Sequence, residues 1–101
     1  MTYLDDDAAL VRRMLADTAQ PPSDAELLFL LYGVLLRVKG DKVSASDVHD
    51  AWTVWMQVRN PNHPALLPYD ELDLETRMQD LPYMQAIRQA ARIRQAQSGE
   101  R

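Results

Sequence analysis

The sequence predicts an all-α fold: a small helical domain of four to five helices with an ordered, proline-rich loop packed on it. Apolar residues recur three and four positions apart in several segments of the chain, as they do on one face of a helix. Capping patterns and prolines separate these segments. A length of 101 residues fits one structural domain with a single hydrophobic core.

The first helix is predicted over residues 3–16, where apolar residues recur at helical spacing. Asp5, Asp6 and Asp7 fall in its first turn, where the helix dipole stabilises negative charge. After a proline pair, Ser23 and Glu26 have the spacing of a capping box. The second helix is therefore predicted to start there.

The second helix is predicted to run to about Lys39, with Gly40 as its C-terminal stop. Ten apolar side chains lie between Leu27 and Val38 and surround the whole helix. Such a helix is either enclosed by other helices or part of an oligomer interface. The longest apolar run is about half of a bilayer span of about 20 residues, so we expect a core helix and no membrane anchor.

Ser44 and Asp47 offer a second capping pattern and open a third predicted helix that ends at about Val58. The prolines within residues 60–64 end this helix, because each disfavours helix at the residue before it. Residues 65–72 are too apolar to lie free in water. We therefore expect an ordered loop that packs on the helices.

Residues 73–78 are predicted to form one or two helical turns. Asp80 followed by Pro82 predicts the capped first turn of a last helix, which extends to about Gln97. Residues 98–101 are expected to be a disordered tail.

Composition disfavours several functions. The formal charge is −4, whereas a surface that tracks phosphates needs a basic excess, so we expect no nucleic-acid partner. The chain has no cysteine, which excludes disulfides and thiolate chemistry and fits a cytoplasmic location. The N-terminus lacks the basic start and apolar run of a signal peptide. No membrane association is expected.

Catalytic and cofactor motifs are also missing from the sequence. The serines do not lie in a G-x-S-x-G elbow, and the three glycines form no phosphate-binding loop. His49 and His63 do not have the spacing of a known metal motif. We therefore expect no enzyme activity, no catalytic residue, no cofactor and no metal.

One segment carries a specific pattern. His49 and Trp52 form an H-x-x-W pair, residues 63–72 read HPALLPYDEL, and Asp80 follows. These residues resemble the ryanodine-receptor repeat (RyR) domain, whose pattern is a helix with H-x-x-W, an HP-x-L-x-PY-x-E-L stretch and a later aspartate. The resemblance covers about two fifths of the chain. The connection between the tryptophan helix and the HP motif is shorter here than in the receptor repeats.

The resemblance implies a non-catalytic, all-helical binding module. Standalone bacterial and phage domains of the RyR type are proposed to sense small nucleotide-like ligands, so a bacterial or phage origin is implied as well. Residues 43–97 would form the RyR-like helical region. Residues 1–42 have no counterpart in the pattern, and we expect them to form a helical hairpin that completes the core.

The same residues also support an interpretation that does not depend on any family. Prolines 64 and 68 reduce the entropy that the loop loses on ordering. His49 and Trp52 lie one turn apart on one helix face and can both meet this loop, so we expect Trp52 to be largely buried against it. A purely structural role, in which the loop is stapled to the helix, is the main alternative for each residue.

Two functions follow from the sequence. The first is a pocket for a small anionic, nucleotide-like ligand, held by arginines because the overall charge is negative. Arg92, one turn after Arg88, is a further candidate on the last helix. The second function is a protein-interaction module, in which the second helix or the exposed loop docks a partner or a second copy. A two-fold homodimer through the second helix is the commonest outcome for such an apolar patch. The predicted ligand-binding residues are His49, Trp52, Trp55, Arg59, His63, Tyr69 and Arg88.

Overall fold

The computed structural model describes residues 1–19 and 21–98. The predicted all-α class is confirmed, and that described part contains no strand. Two short 3-10 turns lie between the helices, at Gly40–Lys42 and Tyr69–Glu71. The helices are α1 (Tyr3–Met14), α2 (Glu26–Lys39), α3 (Ala45–Arg59), α4 (Leu74–Met78) and α5 (Leu81–Ser98).

Helices α1, α2, α3 and α5 enclose one core. α1 packs on α2 and α5, and α2 also packs on α3. The close approach of α1 and α2 depends on Gly33, because a Cβ atom there would lie 3.2 Å from the Ala8 nitrogen and 3.3 Å from the Leu4 oxygen. A larger side chain would push the two helices apart, since packed interiors have little free volume.

The helix ends follow the predicted chemistry at Ser44 and Gly40 but not at Ser23 or Asp80, whose Oδ2 accepts no hydrogen bond from the described residues. Ser44 and Asp47 form the expected reciprocal capping box at the start of α3. Gly40 ends α2 with a φ of 58°, in the region that favours glycine. The capping box predicted at Ser23 is wrong: α2 begins at Glu26 after Ala25, whose side chain makes no capping hydrogen bond. A methyl side chain offers no acceptor to the first amides.

The end of α5 differs slightly from the prediction. The helix continues through Ser98, which was expected to begin a disordered tail. The rest of that predicted tail, residues 99–101, lies outside the described residues.

Asp7 has a different role from the one its position in the sequence predicts. Its side chain is only 1% exposed. One carboxylate oxygen lies 2.6 Å from Nε of Arg37 on α2, and the other lies 2.7 Å from a terminal nitrogen of Arg94 on α5. Asp7 therefore joins three helices through a charge-assisted hydrogen bond from Arg37 and an ion pair with Arg94, and stabilisation of its own helix terminus is secondary.

The second helix is buried on one side only. Leu28, Phe29 and Tyr32 are almost completely buried, whereas Leu27 is 56% exposed and Val38 is 68% exposed. Complete enclosure of this helix, one of the two alternatives that its sequence left open, is therefore not observed. No helix in the described part of the chain is both long and apolar enough to cross a membrane.

Candidate functional site

A cavity lies where α2, α3 and the start of α5 meet the segment between α3 and α5. It has a volume of about 950 Å³. Its acidic lining residues are Glu71, Asp73 and Asp80, and no lysine or arginine of residues 1–19 or 21–98 lines it. We call this cavity the aromatic groove, after its ring-bearing residues Tyr32, His49, Trp52, Trp55, His63 and Tyr83.

His49 connects α3 to the proline-rich loop. Its ring is buried, and Nε2 lies 2.6 Å from the carbonyl oxygen of Leu67. A carbonyl only accepts hydrogen bonds, so Nε2 carries the proton and donates it. The other ring nitrogen, Nδ1, faces the carboxylate of Asp80 at 3.9 Å. That distance is too long for a hydrogen bond.

Trp52 stands between two histidines. Its ring stacks on His49, with centroids 5.4 Å apart, and the ring of His63 meets it edge-on at 5.0 Å. His63 is fixed in turn because its Nδ1 accepts the backbone N–H of Ala65. Trp52 does pack on the loop as predicted, but it is only partly buried, because its outer side forms a wall of the groove. The deeply buried tryptophan is Trp55, which is 4% exposed.

Asp80 is the most unusual group in the groove. Its Oδ2 is buried and has no hydrogen-bond partner among the described residues. Burial raises the pKa of this carboxyl to about 6, although the nearby His49 acts in the opposite direction. An ionised carboxylate without a donor is costly in a protein interior, and such groups concentrate at functional sites.

Two tyrosines form the floor of the groove beside Asp80. The rings of Tyr32 and Tyr83 lie 5.5 Å apart, and Phe29 meets Tyr32 edge-on at 5.6 Å. Burial raises the pKa of both phenols, and the charge of Asp80 adds to this effect. Both tyrosines are therefore neutral at physiological pH. Tyr32 is almost completely buried, whereas the partly buried Tyr83 can present an aromatic face to the groove.

Four of the seven predicted ligand-binding residues come together in this groove: His49, Trp52, Trp55 and His63. Tyr69 lies nearby, with its ring 6.3 Å from that of His49, but it is not part of the lining.

The predicted arginines lie elsewhere. Arg59 stacks over the ring of Trp55 at 4.5 Å and is exposed. Arg88 donates from Nε to the carbonyl oxygen of Val43, which ties α5 to the start of α3. Arg92 is exposed on α5. None of the three lines the groove.

Sequence reasoning did not include Tyr32, Tyr83 or Asp80 among the ligand-binding residues. The two tyrosines lie on different helices, about half the chain apart, and each looks like an ordinary apolar residue of its own helix. Asp80 precedes a helix and has the sequence signature of a cap. The one local signal for Asp80 was its position after the H-x-x-W and HP-x-L patterns, because these patterns lie in the same region of the chain.

Fold and site together define a small helical domain with an acidic, aromatic-walled groove. The chain belongs to the DUF7701 family, a domain of unknown function, whose model matches residues 2–92. No curated protein and no solved structure gives a significant match.

The family match corrects the resemblance to the RyR domain, which is wrong. The matching model includes the first two helices, which the RyR pattern left unmatched, together with the H-x-x-W and HP-x-L region. These short patterns stabilise a loop against a helix, and that packing need not belong to one family. The expectations that depended on the resemblance alone, a nucleotide-like ligand and a bacterial or phage origin, lose their basis.

Proposed function

We propose that the protein is a non-catalytic binding module whose ligand occupies the aromatic groove. The observation that carries this proposal is the partly buried Trp52, held between His49 and His63 with one side turned to a cavity of about 950 Å³. Cavities of roughly 300–1,000 Å³ with apolar and aromatic walls and a few polar groups are typical of small-molecule sites.

The environment of His49 favours binding over catalysis. A general base needs a ring nitrogen within hydrogen-bond reach of the substrate. Here Nε2 is already bound to the Leu67 carbonyl, Nδ1 faces Asp80, and the residue is only 3% exposed. We therefore assign His49 the role of fixing the loop and the Trp52 ring. A cytoplasmic location stays a prediction.

A neutral aromatic probe tests the site. We expect 3-phenylpropan-1-ol to bind at millimolar concentration and to shift the indole N–H signals of Trp52 and Trp55 in NMR spectra. Trp52→Ala should weaken binding several-fold, because it removes one wall, whereas Val58→Ala, an exposed position on the same helix, should not. The proposal fails if neither this alcohol nor its amine and carboxylate counterparts, 3-phenylpropylamine and 3-phenylpropionate, give a saturable shift, or if the shifts map to another surface.

A second candidate function, self-association, is favoured by the exposed face of α2. Leu27, Leu31, Val34 and Val38 recur at spacings of four, three and four residues, and three of the four are at least 39% exposed. This spacing gives one continuous apolar stripe along a helix. We propose that its partner is the same stripe of a second copy.

Charge supports an antiparallel arrangement of the two copies. Glu26 and Arg37 are 11 positions apart, as are Leu27 and Val38, so they follow the same edge of the stripe at opposite ends. A two-fold axis across the stripe would place Glu26 of one copy near Arg37 of the other. Arg37 uses Nε for Asp7, and a guanidinium has further N–H donors.

Light scattering over a concentration series measures this association. We expect a mass of twice 11.6 kDa at high concentration. Val34→Glu should shift the protein to the monomer, whereas Leu74→Glu, an equally conspicuous apolar residue on α4, should leave the dimer intact. A wild-type mass near 11.6 kDa at millimolar concentration would exclude the stripe as a dimer interface.

A further inference from the structure

The lining of the aromatic groove has a charge that selects among ligands. Glu71, Asp73 and Asp80 bring three carboxylates to it, and the part of the chain that the structure describes brings no lysine or arginine. An anion placed there would face carboxylates without a compensating guanidinium. The charge of the lining therefore favours a cationic ligand, whereas the sequence predicts an anionic one.

Asp80 provides the specific anchor in this lining. Its side chain is 13% exposed, and the residue lines the groove. Because Nε2 of His49 is bound to Leu67, only Nδ1 is directed toward the carboxylate, and the 3.9 Å distance leaves Oδ2 without a donor. The two other carboxylates differ from Asp80: Glu71 is exposed, and Asp73 accepts the backbone N–H of Thr76 as the cap of α4.

The aromatic rings next to Asp80 suit a positive charge as well. Tyr83 and Trp52 are partly buried and line the same groove, and the face of an aromatic ring attracts an ammonium or guanidinium group. A metal ion fits less well, because residues 1–19 and 21–98 contain no group of three histidine, cysteine or acidic side chains arranged to hold one. The chemistry therefore points to an organic cation.

We propose that the aromatic groove binds a ligand that carries an ammonium or guanidinium group next to an apolar body, and that the Asp80 carboxylate accepts its N–H groups. The aromatic walls, Trp52 above all, hold the apolar body. This inference depends on the binding role proposed for the groove, and it names the ligand class for that role.

Three probes with the same phenylpropyl body separate the contributions of charge and shape. They are 3-phenylpropylamine as the cation, 3-phenylpropan-1-ol as the neutral compound and 3-phenylpropionate as the anion. At pH 7.5 we expect the amine to bind roughly ten-fold tighter than the alcohol, since a charge-assisted hydrogen bond is worth that much or more. The carboxylate probe should bind weaker than the alcohol.

The Asp80→Asn variant tests the anchor at constant side-chain size. It should bring the affinity of the amine close to that of the alcohol, because the variant lacks the negative charge that pairs with an ammonium group. Asp70→Asn is the matched control, because it makes the same change of charge at an exposed residue outside the groove lining. It should leave the ten-fold preference almost intact.

The pH dependence gives an independent readout. Protonation of Asp80, whose pKa is about 6, removes the charge that attracts the amine, so the preference for the amine should decrease as the pH falls from 7.5 to 5. The alcohol should bind equally at both pH values. Equal affinities of amine and alcohol at pH 7.5, or an undiminished preference in Asp80→Asn, would overturn the cation proposal and leave the binding role standing. Failure of all three probes to bind would instead overturn the binding role.

Discussion

Replacing Trp55 with alanine is expected to lower the free energy of unfolding by about 3–5 kcal/mol, the usual cost of truncating a buried aromatic side chain. Trp55 is 4% exposed and belongs to the same core cluster as Phe29, Tyr32 and Ile87. Small domains are stable by only about 5–15 kcal/mol, so the variant should be close to unfolding. Urea denaturation followed by circular dichroism measures the loss.

Trp52→Ala is the control for the tryptophan assignment. The Trp52 ring is partly buried and loses mainly its contacts with His49 and His63, so we expect a cost of about 1–2 kcal/mol. From the sequence alone, Trp52 is expected to be largely buried. If the two variants are equally stable, or if Trp52→Ala is the less stable, the burial of Trp55 contributes less to the free energy of unfolding than we expect.

Local chemistry predicted the helices where the decisive contacts lie close in sequence. The capping box of Ser44 and Asp47 and the glycine that ends α2 involve atoms within one turn, so the sequence contains everything they need. The same reasoning failed at Ser23. There Asp24 adopts a φ of 55°, which takes the chain out of the geometry of a capping box.

Contacts between distant segments could not be predicted in the same way. Asp7 looks like a first-turn acid, and only the packing of α1 against α2 and α5 brings it between Arg37 and Arg94. These arginines lie about 30 and 87 positions further along the chain. Nothing in the local pattern distinguishes Asp7 from Asp5 or Asp6.

The residues of the candidate site show the same difference between local contacts and contacts with distant segments. His49, Trp52 and His63 were found because a helical turn and a rigid proline loop bring them together locally. Long side chains such as Arg59 and Arg88 were misplaced, because their direction depends on neighbours: Arg59 folds back on Trp55, and Arg88 reaches a backbone carbonyl. As a result the sequence predicted the location of the groove better than its charge.

Asp80→Asn is expected to stabilise the protein above pH 6. Burial raises the pKa of Asp80 from 3.8 to about 6, so between these values the folded protein binds more protons than the unfolded chain. The free energy of unfolding therefore decreases as the pH rises through this window, and it stays lower above pH 6. Each pKa unit corresponds to about 1.4 kcal/mol. Because solvent reaches one side of the carboxyl and weakens this effect, we expect the free energy of unfolding of Asp80→Asn to exceed that of the wild type by about 1–2 kcal/mol above pH 6.

Urea denaturation of both proteins at several pH values between 4 and 8 measures this difference. The variant should match the wild type near pH 4 and exceed its stability above pH 6, whereas Asp70→Asn should follow the wild type throughout. A variant that is less stable at pH 7 would mean that the Asp80 charge supports the fold. A variant that is more stable, yet no longer prefers the amine probe, would mean that a destabilising charge is retained for a ligand, which is the trade-off expected of a binding site.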